Sequence, residues 1–475
     1  MTDAPSRRLG RFDRTVLLAI FSLILAILVV IWRGDRIGIQ ALAFMPAPGS
    51  SGVSVRTQIQ VRFDQPLADG AALRLSPATP GQVRMEGETL VFVPDGALAP
   101  DTTYTVTLAA GVRSRHGRIL HDPITWRFQT GRTAIVYSAL DEQGREQLMR
   151  RAVRLGDGPP VLDAPRQVTQ APYGIWDFTV DPNTGQIVFA QSHEDGASDL
   201  WRLMPGAETP ELLRACPQAT CNSTAFAPDS RLLAFSQRNA SGFAAPVVSP
   251  PRLWLLDLRD GAATQLFADS QQLGFEPRWS PDGQWLSYLS PDLGGVGVYN
   301  LETGESRFYP TTTGDPAIWH PVQNRLVLSE MIARDDVYEV HLFMLDPAID
   351  PSADPTGQAR RLLSRHDVPV EDNAPAWSPD GEWIAFRRKE LAGPGMTLGK
   401  QLWRMRADGS QAEALTTDPD HDYGPPVWSP DGRYLLYHRF PLKGPQVTIS
   451  VWIMDTATGE AWEVARPGQR PQWAP

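Results

Sequence analysis

Trp279-Ser280-Pro281-Asp282-Gly283-Gln284-Trp285-Leu286-Ser287-Tyr288 is the stretch to which this chain keeps returning. Trp377-Ser378-Pro379-Asp380-Gly381 precedes Trp383-Ile384-Ala385-Phe386, and Trp428-Ser429-Pro430-Asp431-Gly432 precedes Tyr434-Leu435-Leu436-Tyr437. Looser copies are Phe226-Ala227-Pro228-Asp229-Ser230 with Leu233-Ala234-Phe235, Trp319-His320-Pro321 with Leu326-Val327-Leu328, and Val180-Asp181-Pro182 with Ile187-Val188-Phe189. In each unit an aromatic or β-branched residue ends one strand, and Pro, lacking an N–H, blocks its continuation. Asp-Gly is then expected to supply the positive-φ positions of a tight hairpin turn, and a strongly apolar second strand follows. The units recur about every 40 to 58 residues, the period of four-stranded propeller blades and too long for leucine-rich or ankyrin repeats.

Third strands are read at Leu200-Trp201-Arg202-Leu203, Leu253-Trp254-Leu255-Leu256, Val298-Tyr299, Leu342-Phe343-Met344-Leu345, Leu402-Trp403-Arg404-Met405 and Val451-Trp452-Ile453-Met454. A polar turn closed by Gly261, Gly304, Gly409 or Gly459 leads to a short fourth strand such as Thr264-Gln265-Leu266-Phe267. From about residue 133 to 475 the units resemble the PD40 (WD40-like) repeats of TolB-type β-propellers. Sialidase-type Asp boxes space their group as Ser-x-Asp-x-Gly. Here Gly283, Gly381 and Gly432 directly follow Asp, so that reading is disfavoured.

Pro471-Gln472-Trp473 aligns with Pro277-Arg278-Trp279, but no second strand follows it. The matching second, third and fourth strands are found at the other end, in Ile135-Val136-Tyr137, Gln147-Leu148-Met149-Arg150 and Arg166-Gln167-Val168-Thr169. The C-terminal strand is therefore expected to complete the first blade and leave no open seam. The markers Val180, Phe226, Trp279, Trp319, Trp377, Trp428 and Trp473 count seven blades. Six is the alternative if residues 133–169 are a linker.

Residues 1–14 carry Arg7, Arg8, Arg11 and Arg14, and Thr15 to Trp32 then runs without a charge. Such a span is about 27 Å long as a helix, close to the hydrocarbon thickness of a bilayer. The expectation is a cytoplasmic tail over residues 1–14 and a transmembrane anchor over 15–36, with everything after it outside the cytoplasm. A signal peptide cleaved near Ala41-Leu42-Ala43 is the alternative. Residues 37–52, rich in Pro, Gly and Ser, read as a linker.

From residue 53 to 131 the pattern becomes a strict alternation. Ile59, Val61 and Phe63 alternate with polar residues, as do Tyr104, Val106 and Leu108, and Ile124, Trp126 and Phe128. An antiparallel sandwich follows, so the fold class is all-β outside the anchor. This segment resembles the bacterial Ig-like family Big_5 (SbsA-type). The carrying residues are Ile59-Gln60-Val61-Arg62-Phe63-Asp64-Gln65-Pro66-Leu67, Leu90-Val91-Phe92-Val93-Pro94, Leu98-Ala99-Pro100-Asp101-Thr102-Thr103-Tyr104-Thr105-Val106 and Trp126-Arg127-Phe128-Gln129-Thr130. The resemblance implies a spacer. The propeller is expected over residues 132–475.

The net charge of −10 without a basic cluster excludes nucleic acid as an expected partner. The two cysteines, Cys216 and Cys221, stand five apart. Outside the cytoplasm they are expected to form a disulfide; as reduced metal ligands they would need two more partners. No G-x-S-x-G, P-loop or H-E-x-x-H occurs, and the chain stops at the closing strand, so no catalytic residue and no cofactor are expected.

The long connections between second and third strands are the elaborated face: Arg238 to Arg252, Glu330 to Glu339, Arg388 to Lys400 and Arg439 to Ile449. Phe243, Val247, Val248, Phe440, Pro441, Leu442 and Val447 there are candidate partner-binding residues, as are His366, Asp367, Asp420, His421, Asp422 and Tyr423 on blade-to-blade loops. The acidic loops, which include Glu371 and Asp372, have three open readings: solvated turn makers, a hard-cation site, or a partner contact. Hub positions read as Trp, Phe, Val and Pro, without the convergent carboxylates or His that an enzyme using the channel needs. The resemblance to TolB-type propellers implies extracytoplasmic protein binding; a cell-wall or carbohydrate binder and a channel enzyme are the alternatives.

Overall fold

The computed structural model describes residues 15, 16, 18–25, 38–50, 52–55, 57–68, 71–96, 98–115, 117–156, 158–241, 247–267, 269, 271–334, 336–349, 359–444 and 447–474. Contacts divide the chain into two units. One holds Met1–Ser51, Thr57–Gly96 and Thr102–Gln129, and the other Gly52–Arg56, Ala97–Asp101 and Thr130–Pro475. Among the described residues no helix is long and apolar enough to cross a membrane. Residues 15, 16 and 18–25 are helical with exposed apolar side chains; residues 1–14, 17 and 26–36 of the expected tail and anchor lie outside the description.

The first unit is built on alternation. A four-stranded sheet runs in the order Ala41–Met45, Ile59–Phe63, Thr89–Pro94, Gly81–Glu86, and a three-stranded sheet in the order Leu73–Ser76, Thr103–Leu108, Ile124–Gln129. Ile59, Val61, Phe63, Val106 and Leu108 are all fully buried, and Phe128 stacks on Tyr104 at 5.6 Å between ring centroids. The expected linker over residues 37–52 instead contributes a strand, Ala41–Met45, paired antiparallel to Ile59–Phe63. Trp126 explains why. Its indole N–H donates to the Pro46 carbonyl at 3.1 Å and its ring meets Phe44 at 5.0 Å, so the segment Ala41–Met45 covers the edge of the core.

The second unit is a succession of antiparallel meanders. Ile175–Val180, Ile187–Ser192, Ser198–Leu203 and Glu211–Arg214 form one, and Ala219–Phe226, Leu232–Ser241, Arg252–Asp257 and Ala263–Gln265 the next. They are followed by Phe275–Trp279, Trp285–Ser290, Gly295–Asn300 and Ser306–Pro310, then Ile318–Trp319, Leu326–Arg334, Val337–Leu345 and Arg360–Leu362. Val370–Trp377, Trp383–Glu390, Gln401–Arg406 and Glu413–Ala414 come next, then Val427–Trp428, Tyr434–Pro441, Ser450–Asp455 and Ala461–Ala465. The strand Gln469–Ala474 pairs antiparallel with Ala134–Leu140, placing Trp473 opposite Ile135; Glu146–Arg154 continues that sheet.

Each apolar cluster spans two successive meanders. Val136 and Leu148 pack with Phe178 and Phe189, Leu253 with Leu286 and Tyr288, and Ile135 with Leu436, Ile453 and Trp473. Each fully buried side chain of this kind contributes about 1.5–3 kcal/mol, which makes the faces between neighbours the core of the unit.

The repeated motif has two mechanical parts. In the turn only Gly283, Gly381 and Gly432 adopt positive φ, at 71°, 74° and 75°. The expectation that Asp and Gly share that conformation is corrected: Asp works through its side chain. Asp282 Oδ1 accepts from the Ser280 hydroxyl and from the Gln284 N–H at 3.0 Å, while Ser280 Oγ accepts from the Trp285 N–H at 2.9 Å. Ser378 with Asp380 and Ser429 with Asp431 repeat the arrangement. The second part is the tryptophan. Trp279, Trp319, Trp428 and Trp473 donate their indole N–H groups to the carbonyls of Ala225, Arg278, Ala376 and Val427, each the residue before the marker of the preceding meander.

Trp377 breaks the rule, and its buried indole N–H has no acceptor among the described residues. The preceding unit carries His320 where the three strict copies carry Ser280, Ser378 and Ser429. That larger ring takes over the turn, with Nδ1 accepting from Val322 and Gln323, and meets Trp377 edge-on at 4.6 Å.

Candidate functional site

Three residues before four of the markers, Phe226, Trp279, Trp377 and Trp473, the inner strands bulge. Ser223, Glu276, Ala374 and Arg470 hold φ of 52°, 51°, 49° and 49°, and the ladder slips register at each. Non-glycine residues rarely occupy this region, and such strain collects where side chains must be aimed. On one side the aligned residues form a polar arc. The Ser223 N–H donates to Asp177 Oδ2 at 3.0 Å, its hydroxyl donates to Glu276 Oε1 at 3.1 Å, and Arg278 pairs with Glu276 at 2.8 Å. Arg470 donates to the Trp176 carbonyl at 2.7 Å and pairs with Glu146 at 2.7 Å. Burial, aided by the neighbouring Glu276 charge, pushes the Asp177 carboxyl up from its ordinary value.

On the other side the equivalent positions are Pro316, Ala374 and Pro425, and a cavity of about 820 Å3 opens between Trp319, Trp377, Trp428 and Trp473. Arg278, Asp315, His438 and Arg470 reach its wall, so the hub is not the purely apolar surface expected from the markers. The signal was present in the sequence as Asp177, Glu276 and Arg470 at one offset from Val180, Trp279 and Trp473, but only the bulge turns that offset inward.

His438 packs where Gly424 has no side chain; a Cβ there would lie 2.3 Å from the ring. Burial, together with the Arg387 charge, pushes His438 down to about 4, and its Nδ1 has no partner among the described residues. The fold favours neutral imidazole, so the unfolded chain binds the extra proton between the ordinary value near 6.5 and about 4. Stability contributed by this group is present above pH 6.5 and is lost as pH falls through that window. The loss is on the order of 3 kcal/mol. Urea unfolding between pH 7 and 4 is expected to show a shallower pH slope for His438→Gln than for the wild type; equal slopes would reject the assignment.

The residues expected on acidic loops are mostly tied internally. Asp372 and Arg388 are both buried and meet through two 2.7 Å contacts, which removes Asp372 from any cation site. His366 stands 3.7 Å from Glu390 and edge-on to Trp403, while Asp367 is exposed. His421–Tyr423 is a strand rather than a loop, paired with Arg439–Pro441, so Asp422 faces Phe440 in the ladder. His421 bonds Asp418 at 2.8 Å, Lys443 reaches Asp420 at 2.7 Å, and Asp422 is held by Arg387 and by the Lys400 N–H. Tyr423 is buried against Tyr437, which withdraws it from the surface. Among the described residues no three His, Cys, Asp or Glu side chains gather as metal ligands.

On the elaborated face, Glu330 to Glu339 is not a loop. The strands Leu326–Arg334 and Val337–Leu345 continue as a hairpin to the pair Arg334 and Val337, because Met331, Ile332, Val337 and Val340 sustain the ladder. Inside it, fully buried Glu339 bonds His341 Nε2 at 2.7 Å, and His341 Nδ1 bonds the Ser364 carbonyl at 2.7 Å, a pair that no motif announced. Phe440 and Leu442 are half-buried. Val247 and Val248 form a strand paired with Ala240 and Ser241; their side chains and Phe243 lie outside the described residues. Val447, on the Arg439 to Ile449 connection, is exposed as expected, and the other exposed apolar tips are Tyr338 and Leu398, each 70% exposed, with Met396. Cys216 and Cys221 are disulfide-bonded.

The family model described as TolB beta propeller domain matches residues 249–475, and that described as bacterial Ig-like domain matches residues 35–130. Among curated proteins, an uncharacterized protein of Agrobacterium fabrum is 24% identical over 34% of this chain and 64% of its own length. An uncharacterized peptidase of Bacillus subtilis is 22% identical over 45% of this chain and 28% of its own length. The chain thus spans less than two thirds of the length of either relative. Among solved structures, TolB from Acinetobacter baumannii matches at 14% identity and a TM-score of 0.41, over 83% of this chain and 82% of that one. A puromycin-hydrolyzing peptidase of Mycobacterium tuberculosis matches at 17% identity and a TM-score of 0.48, over 78% and 52%. The alternating sandwich within residues 35–130 thus matches the bacterial Ig-like family, and the repeated Trp-Ser-Pro-Asp-Gly meanders within residues 249–475 match the TolB β-propeller (PD40) family.

Proposed function

We propose that this chain is a membrane-anchored, extracytoplasmic binding protein whose seven-bladed, non-catalytic propeller holds a protein partner in the cell envelope, with the Ig-like domain as the spacer between anchor and propeller. The observation that carries the reading is the set of exposed apolar side chains Tyr338, beside the tip of the hairpin Leu326–Arg334 and Val337–Leu345, and Met396, Leu398 and Val447 on the next two second-to-third strand connections. Apolar residues held in water at the tips of a rigid scaffold mark an interface, since nothing in folding requires them there. The Arg-rich tail and uncharged run before residue 33 support the anchor. The non-catalytic reading is supported by the internal pairing of the acidic groups, which spends Asp372, Asp422 and Glu276 on arginines.

The triple substitution Tyr338→Ser, Met396→Ser, Leu398→Ser is expected to leave the melting transition within about 0.5 kcal/mol of wild type, as exposed positions do. It should reduce capture of the envelope partner at least about tenfold, the effect of removing a small number of interface anchors. In intact cells, external protease should degrade the propeller and spare a tag at Met1. Undiminished capture by the triple variant moves the partner site elsewhere, and a protected propeller rejects the topology.

A further inference from the structure

On the same face, between the meander that begins at Ile175 and the one that begins at Ala219, a cavity of about 380 Å3 is lined by Trp176, Ser192, Thr220, Asn222, Arg238 and Phe275, among others. Trp176 is the bulged residue of its strand, at the register slip between Ile175 and Asp177, and is 65% exposed. Its indole makes none of the latch contacts that occupy the motif tryptophans, so an aromatic face stands bare at the rim of a polar cavity. The remaining lining supplies donors that the protein does not use. Asn222 Oδ1 accepts from the Ser236 hydroxyl at 2.8 Å, which orients the amide and directs its NH2 away from that serine. Among the described residues the side chains of Ser192 and Thr220 make no hydrogen bond, and Arg238 has no carboxylate partner; its guanidinium lies 5.8 Å from the centre of the Phe275 ring.

The cavity is also braced. The Cys216–Cys221 disulfide closes the turn entering Ala219–Phe226, and Ser198 Oγ bonds both the N–H and the carbonyl of Cys221. Thr220 and Asn222 flank that anchored residue, so the groups that would meet a ligand are positioned before it arrives. A ligand matching this lining has one flat apolar face for an indole, hydroxyls along its edge for amide and hydroxyl groups, and an anionic group for an unpaired planar guanidinium.

We infer that this cavity binds a pyranose ring bearing a carboxylate, with the ring's C–H face on Trp176, its hydroxyls on Ser192, Thr220 and Asn222, and its carboxylate on Arg238. The site is separate from the loop tips assigned to a protein partner and does not depend on that assignment.

Titration of the full chain with D-glucuronic acid and D-galacturonic acid, followed calorimetrically and by tryptophan fluorescence, tests it against D-glucose and acetate. At least one of the two acids is expected to saturate with a fluorescence change, glucose to bind about tenfold more weakly, and acetate not to bind measurably. Trp176→Ala is expected to weaken the acid about tenfold and abolish the fluorescence change at an unaltered melting temperature. Arg238→Gln should bring the acid down to the level of glucose, and Arg238→Lys, which keeps the charge and loses the fork, should fall between. No saturation by either acid up to its solubility limit overturns the site. Saturation unaffected by Trp176→Ala overturns its location, and equal binding of glucose and the acids overturns the carboxylate.

Discussion

Deletion of the residues from Arg470 onward is expected to cost the propeller several kcal/mol, far more than the loss of a six-residue tail from an ordinary surface. Trp473 sits in the cluster with Ile135, Leu436 and Ile453, and Ala474 in the next cluster with Val136 and Phe178, so this one strand belongs to two apolar faces. It is also hydrogen-bonded on both sides. The Trp473 indole reaches the Val427 carbonyl behind it, while the Gln472 amide accepts from the Val180 N–H at 2.9 Å and donates to the Phe178 carbonyl at 3.0 Å ahead of it. Removing it exposes the edge of Ala134–Leu140 and separates the first and last meanders of the chain. Trp473→Ala alone should cost about 3–5 kcal/mol, the range for truncating a large buried aromatic. In a unit of this size that lowers the melting temperature by roughly 4–7 °C. Calorimetry on the truncated chain and on Trp473→Ala checks this, and a melting temperature within about 2 °C of wild type for both would show that the strand does not close the fold.

Asp372→Ala should be the most damaging of the acidic substitutions. Arg388 is among the largest fully buried side chains, enclosed by Trp403 at 4.6 Å and Phe386 at 5.1 Å, and its charge is met by the two oxygens of Asp372. Burying the pair gains little over a well-packed apolar pair, but removing one partner strands the other charge, at a cost of about 3–5 kcal/mol. The comparison that isolates this effect is Asp372→Leu with Arg388→Met, which should recover most of the loss because no charge remains buried. Urea denaturation of the single and double variants reads it directly. A single variant within about 1 kcal/mol of wild type, or a double variant no better than the single, would mean that the pair is not what holds these strands.

How much of this was legible beforehand depended on the range of the interaction. The meanders followed from Trp-Ser-Pro-Asp-Gly because the turn is local: Pro stops the ladder, Gly takes positive φ, and Ser and Asp bond within six residues. The sandwich followed from Ile59, Val61 and Phe63 because a strand's faces are assigned by alternation alone. The strand Ala41–Met45 was hidden, since its reason lies in Trp126 and Phe44, far apart in the chain.

The candidate site was less legible for the same reason. His421, Asp422 and Tyr423 looked like a polar loop because their partners Arg387, Lys400 and Tyr437 belong to other strands. Spacing and side-chain type along the chain determined the repeat, its turn, the alternating sandwich and the pairing of Gln469–Ala474 with Ala134–Leu140, because each depends on a residue's near neighbours or on one unit matching another. The tertiary structure alone decided which charges are spent in buried pairs, which bulges turn Asp177, Glu276 and Arg470 into the channel, and which aromatic faces, Trp176 among them, are left bare. Those outcomes depend on distances between strands remote in sequence, and no local pattern encodes whether a side chain will find its partner there.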